Sequence, residues 1–125
     1  SVTRRFEIYR QPESQACPQC GHTWERPRPP LKVYATVGRY PDGRPGELFL
    51  HVDQTGMLTH AIFDALGVAI SIGLQYGIPL EIFTRKFIGM KFSPSGILKD
   101  PVYRSCTSVL DLLARWLNDL EKKHE

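Results

Sequence analysis

The cysteines and histidines of this 125-residue chain are the side chains best suited to hold a metal ion. Cys17 and Cys20 form a Cys-x-x-Cys pair, and His22 follows two residues later. Two thiolates at this spacing can bind one ion from a tight turn, and a Pro-x-Cys-Gly sequence is typical of a zinc knuckle. We therefore expect structural zinc, with a reversible dithiol or plain free thiols as the alternatives.

Structural zinc needs four ligands, so this cluster is incomplete by itself. We expect Cys106 to join it, and the alternatives are His51, His60 or a residue of a partner chain. Cys106 lies near the predicted start of the third helix, where it could instead act as a nucleophile activated by the helix N-terminus. It could equally be a small buried apolar residue.

Two segments combine glycine with small polar residues in a way that favours phosphate binding through backbone N–H groups. One is the loop of residues 91–96, and the other is residues 54–56, ahead of a long helix. In each case the alternative is a plain turn, the second one with Thr55 as the helix cap. The residues expected to contact a nucleotide or another phosphate-bearing small molecule are Lys91, Ser93, Ser95 and Gly96, together with Thr55 and Gly56.

Other polar residues could extend such a site. His60 and Asp64 are four residues apart, so they share a helix face and could touch a ligand or simply each other. Arg39, Arg44 and Arg85 could bind phosphate or simply be solvated. No pair of carboxylates has a spacing typical of hydrolases, and we expect no catalytic residues.

The composition is that of one ordinary globular domain, with 42% hydrophobic and 23% charged residues. A net charge of +3 suits a phosphate-bearing ligand but lacks the clustered basic stripe of a nucleic-acid-binding protein. We expect no signal peptide and no membrane span. An odd number of cysteines without a disulfide spacing predicts a reducing compartment, hence the cytoplasm.

Hydrophobic periodicity predicts strands at residues 3–10, 31–40 and 48–52 and helices at 58–76, from Pro79 to about Gly89, and from Ser105 or Thr107 onward. Asp42-Gly43 predicts a hairpin between the second and third strands. The proline-rich residues 11–30 are expected to form no regular element. We predict an α+β fold: a small antiparallel sheet of about three strands covered by three helices, with an N-terminal zinc-knuckle-like loop. An open sheet edge favours a homo-oligomer.

The first predicted helix is apolar on nearly every side. Asp64 is its only charged residue between Met57 and Tyr76. A helix that is hydrophobic all round is typically buried, so we expect a central core helix. Gly67, Ser71 and Gly73 predict close packing along one of its faces.

Three segments together resemble a known family: YATVGRYPDGRPGELFLHV, DALGVAISIGLQYGIPLEIFTRKFIGMKFSPSG and SVLDLLARWL. Over residues 31–120 they look like the C-terminal module of cobalamin-dependent (class II) ribonucleotide reductases, known for a Thr-Ser-Cys-Pro-Asp motif. The resemblance divides the chain into an N-terminal strand and CxxC knuckle at 1–30 and a reductase-like module at 31–125. It implies an accessory, non-catalytic role in deoxyribonucleotide metabolism. The alternatives are an oligomeric protein that sequesters a nucleotide signal, or a subunit that works in trans with a reductase catalytic chain.

The chain departs from that family in two ways. The naming motif reads Arg-Ser-Cys-Thr-Ser at residues 104–108, without Pro-Asp after the cysteine. The family's redox CxxC lies in a C-terminal tail, whereas Cys17 and Cys20 precede the module. We therefore do not transfer the redox role to this chain, and 125 residues are too few to form a cobalamin site.

Overall fold

The computed structural model describes residues 1–53, 56–92 and 94–124. The described residues form three helices and seven strands. The strands are β1 (Val2–Ile8), β2 (Glu13–Ala16), β3 (Thr23–Arg26), β4 (Leu31–Arg39), β5 (Pro45–Asp53), β6 (Gly96–Ile97) and β7 (Ser105–Cys106), and the helices are α1 (Met57–Gln75), α2 (Leu80–Phe87) and α3 (Val109–His124).

The main sheet has β4 at its centre, with β1 and β5 antiparallel on either side. Along β4, alternate residues are fully buried, because one face of the sheet forms the core and the other does not. At the turn, Gly43 has a φ of +92° and donates its N–H to the Tyr40 carbonyl at 2.8 Å. The predicted α+β fold, the small antiparallel sheet and the hairpin between β4 and β5 are confirmed.

The core lies between the buried face of the sheet and α3. Phe6 packs edge-on against Trp116, with ring centroids 6.1 Å apart, and against Tyr103 at 5.7 Å. The Tyr103 hydroxyl donates to Asp119 of α3 at 2.6 Å. Aliphatic side chains of β1, β4, β5 and α3 fill the remaining space.

α3 begins later than predicted. The Ser108 hydroxyl accepts the Asp111 N–H at 3.0 Å, so Ser108 is the capping residue rather than Ser105 or Thr107. Ser105 instead belongs to β7, which pairs with β6. This pairing was not evident from the sequence because each of the two strands has only two residues.

Asp111 holds the start of α3 against the end of α2. Its buried carboxylate accepts the N–H of Gly89 at 2.9 Å and the N–H of Thr107 at 3.2 Å, and it pairs with Arg115 at 3.1 Å. Burial alone would raise the pKa of Asp111, but these hydrogen bonds and the Arg115 charge outweigh it and lower the pKa.

α1 packs along the open edge of β5. A Cβ atom on Gly67 would lie 2.9 Å from the Leu48 carbonyl oxygen, and one on Gly73 would lie 2.7 Å from the Phe83 ring. Ser71 Oγ accepts the Leu48 N–H at 2.9 Å and lies 2.7 Å from the Gly67 carbonyl. The predicted close packing of this small-residue face is confirmed, and α1 covers that part of the sheet edge.

The prediction that α1 is buried on all sides is wrong. Its buried residues are Phe63, Gly67, Ile70 and Leu74, which form a single face. The opposite side is open because α1 lies at the edge of a sheet that is covered on one face only. The exposed large apolar residues of this outer face are Met57, Leu58, Ile62, Val68 and Ile72. Length and composition alone would also let α1 cross a membrane, a criterion that helices of soluble proteins can meet.

The prediction that residues 11–30 form no regular element is also wrong. β2 and β3 pair as an antiparallel hairpin, from Glu13 opposite Arg26 to Ala16 opposite Thr23. The prolines do not prevent this, because all of them lie outside the paired residues. The cysteine pair lies in the turn of this hairpin, and zinc binding there stays a prediction.

Candidate functional site

β5 and α1 bring two histidines together at one end of the sheet. The rings of His51 and His60 have centroids 4.6 Å apart and meet edge to face. His51 Nε2 lies 2.6 Å from Asp53 Oδ1, and His60 Nε2 lies 3.4 Å from Asp64 Oδ2. Each imidazole thus has a carboxylate partner that orients its ring. When protonated, such a pair offers N–H donors and positive charge to an anionic group.

A groove of about 470 Å³ runs from His51 along the uncovered face of the sheet, beside α1. Phe49 stands in it with 59% of its surface exposed, and the Tyr34 ring lies 5.8 Å from that of His51. Val68 and Ile72 of α1 line the opposite wall. The volume and the mixture of aromatic and polar groups suit a small-molecule ligand.

The N-terminus of α1 lies at the same end of the sheet. Gly56 precedes the helix in an extended conformation with a φ of −69°, and it is exposed. Among the described residues, no side chain caps this end, and the first turn contains no acidic residue. The N–H groups of the first turn and the positive end of the helix dipole thus have no side-chain partner among the described residues, and such a helix end favours an anion. The predicted contact residue Thr55 and its neighbour Gln54 lie outside the described residues.

The second predicted phosphate-binding segment, residues 91–96, is tied to the start of α3. The Phe92 N–H donates to the Thr107 carbonyl at 3.2 Å, and the Thr107 hydroxyl donates to the Met90 carbonyl at 2.8 Å. Lys91 and Ser95 are exposed, and Gly96 has a φ of +128°. Ser93, also predicted to bind, lies outside the described residues. The described part of this loop has exposed polar groups.

Cys106 is buried in β7, where it pairs with Gly96 of β6. Burial, the largest effect, raises the pKa of its thiol. A raised pKa disfavours the thiolate that a nucleophile or a metal ligand needs. Cys17 is partly exposed and Cys20 exposed at the hairpin turn. Over residues 1–53, 56–92 and 94–124, no three His, Cys, Asp or Glu side chains form a group able to hold a metal ion, so the structure does not bring Cys106 together with Cys17, Cys20 and His22. Zinc binding by these residues stays a prediction.

The arginines considered for phosphate binding already have acidic partners. Arg39 pairs with Glu121 at 2.6 Å, and Arg44 and Arg85 pair with acidic residues two and four positions away. A second depression, of about 510 Å³, lies between α2, α3 and the end of α1. Its rim carries acidic residues (Glu81, Glu121) as well as basic ones (Arg44, Lys122), and the groove beside α1 likewise has acidic residues, Glu47 and Asp64, in its lining.

The TSCPD domain model matches residues 8–121 of this sequence. The chain belongs to the TSCPD-domain family. The family predicted from the motifs is thereby confirmed, and the match begins within β1, ahead of residue 31, where the predicted module starts.

Relatives of this TSCPD-domain chain include vitamin B12-dependent ribonucleotide reductases. The protein from Rhodopirellula baltica is 45% identical over 84 residues, which are 67% of this chain and 8% of that protein. The one from Streptantibioticus cattleyicolor is 42% identical over 67% of this chain and 14% of its own length. The one from Bradyrhizobium diazoefficiens is 31% identical over 93% of this chain and 9% of its own length. The chain therefore spans a small part of each relative. No solved structure matches it.

In this TSCPD-domain chain, the segment equivalent to the naming motif is structural. Cys106 fills the core and Ser108 caps α3. The groove residues that sequence reasoning missed, Tyr34 and Phe49, lie elsewhere, on the uncovered face of the sheet. His51 lies beside them, and the sequence had suggested it only as an alternative metal ligand. The alternation of β5 does place Phe49, His51 and Asp53 on one face, but only the docking of α1 shows that this face meets His60.

Proposed function

We propose that this TSCPD-domain chain is a non-catalytic accessory module of deoxyribonucleotide metabolism that binds a nucleotide in the groove beside α1. The observation that carries the proposal is the juxtaposition of an exposed aromatic ring, Phe49, with a histidine pair near the N-terminus of α1, which no described side chain caps. Similarity to vitamin B12-dependent ribonucleotide reductases supports the metabolic context.

The groove offers a complementary group to each part of a nucleotide. The base stacks on Phe49, since every base has a π-face and stacking on an aromatic side chain contributes about 1–3 kcal/mol. The phosphate binds the imidazoles of His51 and His60 and the free N–H groups at the start of α1. Asp53 and Asp64 repel phosphate less than free carboxylates would, because each lies against an imidazole.

Calorimetric titration of nucleotides into three variants tests this proposal. Phe49→Ala and His51→Ala should each weaken binding by about 5- to 150-fold, the range that corresponds to 1–3 kcal/mol. Lys91→Ala is the matched control, since it removes a charge from the other predicted phosphate-binding segment. Binding lost in Lys91→Ala but retained in His51→Ala would place the ligand at residues 91–96 and overturn the groove as the site.

A second candidate function rests on the exposed apolar face of α1. An apolar patch of this kind marks a protein–protein interface in soluble proteins. We propose that it is covered in a homo-oligomer, or by a reductase catalytic chain that this module serves in trans. Ile62→Ser should lower the mass measured by light scattering, while Val102→Ser, at an equally exposed apolar residue far from α1 in sequence, should not. An unchanged mass together with no reductase chain on copurification would exclude both partners.

Sequestration of a nucleotide signal by an oligomer would use the same groove. It differs from the accessory role in that the nucleotide stays bound instead of exchanging rapidly. If the chain is a sequestering protein, the nucleotide should stay bound through purification and be recovered intact after denaturation. Rapid exchange with added nucleotide would instead favour the accessory module.

A further inference from the structure

The β2–β3 hairpin has no hydrophobic core of its own. Every residue of β2 and β3 is exposed except Gln15, which is half-buried, and residues 18–29 are exposed throughout. The described core passes from Ile8 directly to Leu31. An isolated two-stranded hairpin is at best marginally stable in water. Small elements without a core are commonly stabilised by a disulfide or a metal ion, and the hairpin cysteines are free thiols.

Backbone hydrogen bonds hold the two cysteines in one tight turn at the end of the hairpin. The Cys17 N–H donates to the His22 carbonyl at 2.8 Å, and the Gly21 N–H donates to the Cys17 carbonyl at 2.9 Å. Gly21 has a φ of +74°, which closes the turn. Two cysteines at Cys-x-x-Cys spacing in such a turn, one partly exposed and one exposed, have the arrangement of a zinc ligand pair.

This ligand pair lacks half of a tetrahedral site. His22 stacks on Trp24, with ring centroids 6.2 Å apart, and Cys106 is buried in β7. In the part of the chain that the structure describes, no third His, Cys, Asp or Glu joins the pair in a metal-binding group. The described residues therefore do not supply the missing ligands, and the exposed tip of the hairpin leaves room for ligands from a second molecule.

We propose that Cys17 and Cys20 form one half of a zinc site that is completed by Cys17 and Cys20 of a second copy, so that one zinc ion joins two chains. Two identical Cys-x-x-Cys pairs supply the four thiolates that tetrahedral zinc prefers. Two copies related by a two-fold axis form a closed site in which every one of the four cysteines binds the metal. The site also fixes the tip of a hairpin that lacks a core.

Titration of the reduced metal-free protein with Zn²⁺, and in parallel with Co²⁺, tests the proposal. Saturation should occur at about half an ion per chain, and the Co²⁺ complex should show charge-transfer absorption scaled to four thiolates per ion. Removal of the metal with EDTA should halve the mass measured by light scattering. Saturation at one ion per chain, no binding at all, a Cys17–Cys20 disulfide that forms in place of metal binding, or a mass that EDTA does not change would each overturn the proposal.

Variants separate the hairpin site from other thiols. Cys17→Ser and Cys20→Ser should each abolish binding at half an ion per chain, while the thermal unfolding of the domain stays cooperative, because neither residue belongs to the core. Cys106→Ala is the matched control and should bind metal as the wild type does. Loss of binding in Cys106→Ala with retention in Cys20→Ser would show that the site lies elsewhere.

Discussion

Replacing Ser71 with alanine tests how the edge of β5 is satisfied. The Ser71 hydroxyl accepts the Leu48 N–H at 2.9 Å, where α1 seals the strand from water. Without it, this buried N–H loses its partner, which costs about 1–3 kcal/mol. Alanine regains about 0.5 kcal/mol through its higher helix propensity. We therefore expect Ser71→Ala to lower the free energy of unfolding by about 0.5–2.5 kcal/mol.

Urea unfolding followed by circular dichroism measures this loss. The midpoint should fall in Ser71→Ala while the slope with urea stays constant, since the same surface is exposed on unfolding. Thr59→Ala is the matched control, because Thr59 is an exposed hydroxyl residue in the first turn of the same helix. It should be as stable as the wild type or slightly more stable. If Ser71→Ala and Thr59→Ala had the same urea midpoint, the account of the β5 edge would be refuted.

Three further substitutions test the core and its pH dependence. Asp111→Asn should cost about 1–3 kcal/mol at neutral pH, and because the pKa of Asp111 is lowered in the folded state, this difference should shrink as the pH falls below about 4; a difference independent of pH would contradict this assignment. Tyr103→Phe removes the hydrogen bond to Asp119 and should lower the free energy of unfolding in urea by about 1.5–3 kcal/mol, and an unchanged midpoint would refute it. Gly67→Ala should lower the thermal unfolding temperature, since its Cβ would meet the Leu48 carbonyl, although alanine is better than glycine in a helix by about 1 kcal/mol. A raised unfolding temperature would contradict this and show that α1 can shift.

Local patterns were sufficient to predict the main sheet. In β1, β4 and β5 apolar residues alternate with polar ones, and the Asp-Gly pair joins β4 to β5. These signals depend on neighbours in sequence. The burial of α1 could not be predicted in the same way, because an apolar pattern shows which surface needs covering and not which element covers it.

The candidate site shows the same limit. Helical spacing predicted the contact between His60 and Asp64, which the structure has at 3.4 Å. It could not predict that His51 joins them, because that contact depends on how α1 docks on β5. Similarly, the Cys-x-x-Cys spacing predicted a ligand pair but not the missing half of its site, which the described part of the chain does not supply.

The central claim is that the groove beside α1 binds a nucleotide, and thermal unfolding with a panel of ribo- and deoxyribonucleotides tests it most directly. A ligand present at 100 times its Kd should add about 2.7 kcal/mol to the stability of the wild type, and inorganic phosphate at the same concentration should add less. In His51→Ala, whose affinity should be 5- to 150-fold weaker, that stabilisation should fall to between about 1.8 and about 0.3 kcal/mol. Failure of every nucleotide to stabilise the wild type, or equal stabilisation of His51→Ala, would contradict the account.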